Sequence, residues 1–147
     1  MLEQDSSLIR ARHGAREMLI KALYQWQLAG HGEVELAEQF ASLPEFERID
    51  QAYFRELLRI VLGNVKRLDR AIGDHADRKV EHVDAVSRAV LLLGLAELNE
   101  RDDVPTKVII NEAIELAKRY GPSGCFRFVN AVLDGTVKKI TSRNTAD

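Results

Sequence analysis

Cysteine is almost missing from this chain. Cys125 stands alone, so no disulfide can form within it. A lone thiol fits a reducing compartment and leaves no cysteine pair for a zinc or redox motif. Proline is scarce, with three in 147 residues, and aromatics make up only 6%. That scarcity argues against an all-β domain built from many short strands and turns. An excess of one charge is missing too. The formal net charge is −2, so only the distribution of charge, not its total, can mark a nucleic-acid binder. The longest apolar run, Ala89 to Ala96, falls far short of a membrane span. The opening Met-Leu-Glu-Gln-Asp is acidic with no apolar stretch behind it, unlike a signal peptide. A soluble cytoplasmic protein with no membrane attachment is expected.

Motifs for catalysis are also lacking. The histidines, His13, His31, His75 and His82, share no metal-ligand spacing with one another, with the cysteine or with carboxylates. No glycine-rich phosphate loop is present. Gly121-Pro-Ser-Gly-Cys125 has the outline of a nucleophile elbow, but it ends in cysteine and joins two helical patterns where an elbow needs a strand. Cys125 has no local base to activate it, and a packed thiol is the simpler reading. Glu112 and Glu115 suit a helix N-terminus and pairing with Lys118 or Arg119. No enzymatic activity, metal or cofactor is expected.

What the chain does have is helical periodicity throughout. From Ser6 to Gly30, Leu8, Ala11, Ala15, Met18, Leu19, Ala22, Leu23 and Trp26 fall on one arc at about 100° per residue. A short helix follows over Glu33 to Ser42 and stops before Pro44. A longer one runs from Arg48 to Ile72, with a bend at Gly63-Asn64. The next, Val83 to Asn99, is apolar nearly all round, which suits a covered central helix or one with a side that docks another protein. Its core positions include Glu97. Pro105 opens a helix to Tyr120. Gly121-Pro122 ends it, and Ser123 is placed to cap a last helix carrying Phe126, Val129, Val132, Leu133, Val137 and Ile140 inward. Thr141 to Asp147 reads as a frayed tail. The fold class is all-α, about six or seven helices in two packed subdomains of roughly three each, over residues 6–73 and 79–141.

The outer faces are the informative ones. Arg12 lies at the edge of the first helix's core arc, and Arg16, Gln27, Ile20, His13 and Tyr24 continue round the outside as one stripe. With Lys21, these residues interleave cations and rings, which suits single-stranded RNA: cations neutralise phosphates and rings stack on unpaired bases. On the last helix Arg127, Asn130 and Asp134 point off the core, with Phe128 at the flank, and the Asn130 amide can both donate to and accept from a base edge. Solvated arginines on two helices account for the pattern as well.

Five blocks then combine in order across nearly the whole chain. They are Ala15-Arg16-Glu17, Ala22-Leu23-Tyr24-Gln25-Trp26-Gln27, Tyr53-Phe54-Arg55-Glu56-Leu57-Leu58, Asp103-Val104-Pro105 through Asn111-Glu112-Ala113-Ile114-Glu115-Leu116-Ala117-Lys118, and Phe128-Val129-Asn130-Ala131-Val132-Leu133-Asp134. With them the chain resembles the NusB family of bacterial transcription antitermination factors. The resemblance implies a non-catalytic protein that binds single-stranded boxA RNA in nascent rRNA transcripts as a heterodimer with NusE, a ribosomal protein of the small subunit. It implies a larger complex with NusA, NusG and RNA polymerase. Some relatives self-associate, so a homodimer is a further state it allows. Carried over by position, the RNA surface comprises Arg12, Arg16 and Tyr24 on the first helix, then Tyr120, Arg127, Phe128 and Asn130 around the corner. His13 and Lys21 join them from the stripe, and Ser87 and Arg88 fall on the helix expected to face the partner. His13-Gly14 departs from the arginines common there in relatives, and the corner from Gly121 to Cys125, with its Gly124, departs from their acidic or serine-containing corner. The competing reading is an RNA-holding or protein-assembly module without direct boxA readout, akin to the NusB-like domain of rRNA cytosine methyltransferases.

Overall fold

The computed structural model describes residues 6–146, with side chains through residue 143. Met1–Asp5, on which the signal-peptide reading rests, lie outside the described residues, as does Asp147. Among the described residues there are seven α-helices and no strand: α1 (Ser6–Ala29), α2 (Glu33–Ala41), α3 (Gln51–Gly63), α4 (Val65–His75), α5 (Ala85–Glu100), α6 (Thr106–Tyr120) and α7 (Cys125–Ala146). Short 3-10 turns occupy Pro44–Arg48 and Val80–His82. The all-α reading holds.

Helix α5 is the hub. It touches α1, α3, α4, α6 and α7, and every residue from Ala89 to Glu97 is buried. Asp84 caps its start by accepting the Ser87 N–H at 2.9 Å. Leu91, Leu92 and Leu95 are fully covered, so the apolar surplus of this helix packs inside the fold. Burying each such leucine contributes roughly 1.5–3 kcal/mol, which makes the all-round apolar pattern self-explanatory.

Four boundaries differ from expectation, each for a local reason. Gly63-Asn64 is a break and not a bend. Asn64 ends α3 and precedes α4, and its amide donates to the Ile60 carbonyl at 2.7 Å in place of a backbone donor. Pro105 takes the capping position, one residue before α6. Ser123 lies inside the corner, and α7 starts two residues later. The tail beyond Ile140 continues α7 as far as Ala146.

The corner between α6 and α7 depends on its two glycines. A side chain at Gly121 would collide with the Cys125 sulfur and stand 2.9 Å from the Ala117 carbonyl. Gly124 turns the chain at φ +80°, a left-handed value that side-chain-bearing residues rarely adopt. The Cys125 thiol packs here and donates to the Ala117 carbonyl at 3.4 Å, in keeping with a structural thiol.

Candidate nucleic-acid interface

The stripe on α1 divides into an inner and an outer set. Arg16 is inside, with 1% of its surface exposed, and Arg12 is 5% exposed. Ile20 is buried as well. The expectation that Arg16 and Ile20 lie outside is therefore corrected. Helices α3 and α5 both pack on α1, which widens its buried arc, and carboxylates on α5 and α6 give the Arg16 charge internal partners.

Those partners are numerous. Arg16 donates to both Glu97 oxygens, at 3.1 Å from Nε and 2.9 Å from Nη2. Its Nη1 reaches Glu112 at 3.0 Å and its Nη2 the Tyr53 hydroxyl at 3.3 Å. The Tyr53 hydroxyl donates in turn to Glu97 at 2.5 Å. Burial opposes the charge on Arg16, but Glu97, Tyr53 and Glu112 outweigh it and hold the guanidinium above its ordinary pKa. Burial, then the Glu97 carboxylate, pushes Tyr53 up, so it stays a neutral donor. Arg12 bonds Asp103 at 3.2 Å and Asp50 at 3.4 Å, with its guanidinium 4.5 Å from the Tyr53 ring centre. Arg101 covers the same ring at 4.7 Å and bonds Asp103 at 2.9 Å. The hydrogen bonds from Arg101 and Arg12 hold the Asp103 carboxyl below the usual range. The inner set is a saturated network joining α1, α3, α5 and α6.

The outer set is different in kind. Lys21 and Tyr24 from α1 and Tyr120 from the end of α6 line one open cleft of about 620 Å³. Tyr24 is 40% exposed and Lys21 is exposed. The Lys21 ammonium stands 6.0 Å from the Tyr120 ring centre. Tyr120 donates to Glu17 at 2.7 Å, which fixes the ring; burial and that carboxylate raise its pKa. His13, half-buried, stands between Glu112 at 3.1 Å and Glu17 at 3.5 Å. It belongs to the rim between the two sets.

Arg127, Phe128 and Asn130 do not line that cleft; they follow the Gly121–Gly124 corner on α7. Arg127 and Asn130 are exposed. Arg127 lies 5.1 Å from the Phe126 ring centre, and Lys118 lies 4.8 Å from the same ring. Lys118 and Phe126 are thus part of this surface, although the sequence pattern assigned them to ion pairing and core. The signal was available: Lys118 falls in the last turn before the corner and Phe126 in the first turn after it, so the two must meet across it. Phe128 is half-buried under the Arg78 guanidinium, 4.4 Å from the ring centre, so one of its faces is already occupied.

The expected partner positions also separate. Ser87 is fully buried and offers no surface, because α5 turns that face toward the core. Arg88 is accessible at its edge. It bonds Asp69 at 2.6 Å and stands 5.3 Å over the Trp26 ring, lining a cleft of about 530 Å³ with Leu28 and Glu81. Leu28, 67% exposed, is an apolar signal that periodicity alone did not single out. Among the described residues no group of histidine, cysteine and carboxylates could hold a metal, and no helix is long and apolar enough to cross a membrane.

Comparison with known proteins adds a specific context for this geometry. The family model described as NusB family matches residues 13–138. A transcription antitermination protein NusB of Alcanivorax borkumensis is 46% identical over 130 residues, covering 88% of this chain and 87% of the relative. Its counterpart from Yersinia pestis is 45% identical over 133 residues, covering 90% and 96%. Among solved structures, T. maritima NusB superposes with a TM-score of 0.78 at 31% identity, covering 86% of this chain and 90% of the other. A crystal structure of antitermination factors NusB and NusE in complex with dsRNA matches with a TM-score of 0.75 at 26% identity, covering 89% and 98%.

Proposed function

The chain belongs to the NusB family, and we propose that it acts in transcription antitermination by holding boxA RNA of nascent rRNA transcripts together with NusE. Its relatives are named transcription antitermination proteins, a non-enzymatic role. The observation that carries the RNA reading is the convergence of Lys21, Tyr24 and Tyr120 on one open cleft, beside a corner that presents Arg127. Cations alternate with aromatic rings there. Phosphates neutralise the former and unpaired bases stack on the latter. Asn130 adds an amide able to read a base edge.

In this reading Arg12 and Arg16 shape the surface from below and do not touch RNA. Arg16 ties α1 to α5 and α6 through Glu97 and Glu112, and Arg12 ties it to Asp50 and Asp103. Phe128 contributes its remaining edge, and His13 tunes the rim through Glu17 and Glu112. NusE docks beside Arg88, where exposed Leu28 supplies apolar area; Ser87 supports that face from within. The assembled pair joins NusA, NusG and RNA polymerase in the cytoplasm.

The test is binding of labelled boxA RNA, with and without NusE, against a scrambled RNA of equal length. Tighter binding of boxA is expected, increased by NusE. Equal binding of both RNAs overturns the reading. Crosslinks from boxA to NusE alone favour the protein-assembly alternative, and mass measured in the same buffer reports whether a homodimer competes.

A further inference from the structure

A second basic surface lies at the other end of α7. Arg67 and Arg70 of α4 and Lys139 and Arg143 of α7 converge, with His75, on a cleft of about 280 Å³. Among the described residues Asp74 is the one carboxylate lining it. The chain as a whole is slightly acidic, so this excess of cations is local and not a by-product of a basic protein. Its ion pairs are loose. Arg67 stands 3.7 Å from Glu100 and Lys139 stands 3.6 Å from Asp74, all four side chains being well exposed. Arg70 and Arg143 are exposed and form no ion pair with a described residue. Compare Arg16, whose charge is fully answered inside the fold.

This cleft is separate from the surface proposed above. At about 100° per residue, Thr136, Lys139 and Arg143 project from the side of α7 roughly opposite Arg127, Asn130 and Asp134. Lys139 also stands about 18 Å along the helix axis from Arg127, at 1.5 Å rise per residue. The lining has a different chemistry as well. Its apolar members are aliphatic, Ala71, Leu95 and Ile140; among the described residues its one ring is the half-buried His75 imidazole, which packs against Gly135 of α7, and no phenyl, phenol or indole lines it. Guanidinium forks match phosphate oxygens in pairs, and without stacking platforms such a site binds backbone and ignores base identity.

We propose that the α4–α7 cleft is a sequence-independent clamp for the phosphodiester backbone of RNA flanking the element bound at the α1 and corner surface. The inference rests on the RNA-binding reading for the identity of the strand delivered to it. An RNA that continues past Arg127 wraps the end of α7 and lays its phosphates against Arg70 and Arg143. The contact adds affinity for long transcripts and adds salt dependence, but no specificity.

The experiment uses the full chain with NusE and two RNAs, boxA alone and boxA extended by unrelated flanks. Wild-type protein is expected to bind the extended RNA several-fold more tightly. The pair Arg70→Glu and Arg143→Glu should abolish that gain while leaving the short RNA unaffected. The salt slope on the extended RNA should fall by about 1.4, two contacts at about 0.7 each for a single strand. The pair Arg70→Lys and Arg143→Lys should retain most of the gain. Equal wild-type affinity for both RNAs, or a gain that survives charge reversal, overturns the proposal. So does displacement of a polyglutamate peptide, but not of flank RNA, by the reversal. A second readout needs no variant: ultraviolet crosslinks from the flank should fall on α4 or residues 139–143, and crosslinks confined to α1 and the corner overturn the clamp. Failure of the short RNA to bind wild-type protein sinks the boxA reading instead, and Arg70- and Arg143-dependent binding of the flank would still support the clamp.

Discussion

Arg16 and Lys21 lie little more than a helical turn apart on α1, yet they belong to different regimes. Arg16 faces Glu97, Glu112 and the Tyr53 hydroxyl at hydrogen-bond distance and is closed off from solvent. Lys21 stands exposed beside Tyr120 at the mouth of an open cleft. The same kind of charge serves cohesion in one place and recognition in the other. What separates them is the supply of carboxylates on the facing helix. A cation becomes structural when the fold answers it, and stays free for a ligand when the fold does not.

The largest effect should come from the inner set. Arg16→Ala strands Glu97 in the core, and removing one partner of a buried pair costs about 3–5 kcal/mol. Chemical denaturation should show that loss, while the folded fraction keeps most of its RNA affinity. A stable Arg16→Ala protein that no longer binds RNA would break the division between the two sets. Next comes the outer set. Tyr24→Ala should weaken boxA binding by about 1–3 kcal/mol if the ring stacks on a base. Its stability should change by no more than about 0.5 kcal/mol, as for other surface substitutions. Anisotropy titration and a melting curve on one preparation check both halves.

Smaller changes sharpen the contrast further. Lys21→Gln and Arg127→Gln should each lower the salt slope of RNA binding by about 0.7, one phosphate contact on a single strand. Unchanged slopes would remove these residues from the interface. The smallest effect concerns Asp103. Its folded pKa is depressed by Arg101 and Arg12, so its stabilisation is present above the unfolded value of about 3.9 and fades as pH falls through the folded value. The carboxylate is partly exposed, which limits the effect to at most about 1 kcal/mol. Asp103→Asn should flatten the acid limb of a stability-against-pH curve, and an unaltered limb would show that Arg12 and Arg101 do not depend on it.

The helices themselves were legible because apolar spacing reports burial directly. The all-round apolar pattern of α5 marked it as central, and Glu97 stood in its core set before any partner was visible. Family blocks such as Phe128-Val129-Asn130 added what periodicity could not, namely a function. The inner position of Arg16 was not legible. A single helix viewed alone treats an arginine as an outward residue, and its burial depends on Glu97 and Glu112 arriving from far along the chain. Phe128 illustrates the same limit: Arg78, from the segment after α4, covers it. Contacts across sequence distance decide which polar groups are spent internally, and helical phase carries no information about them.

The inner network also sets an order of events at birth. Arg16 leaves the ribosome 81 residues before Glu97 and 96 before Glu112. At 5–20 residues per second, that gap is roughly 4–20 s before Arg16 can meet these two carboxylates. Closing so long a loop must precede any reward from the ion pairs. The first helix made therefore completes its buried contacts only after the stretch of message that encodes α5 and α6 has been read.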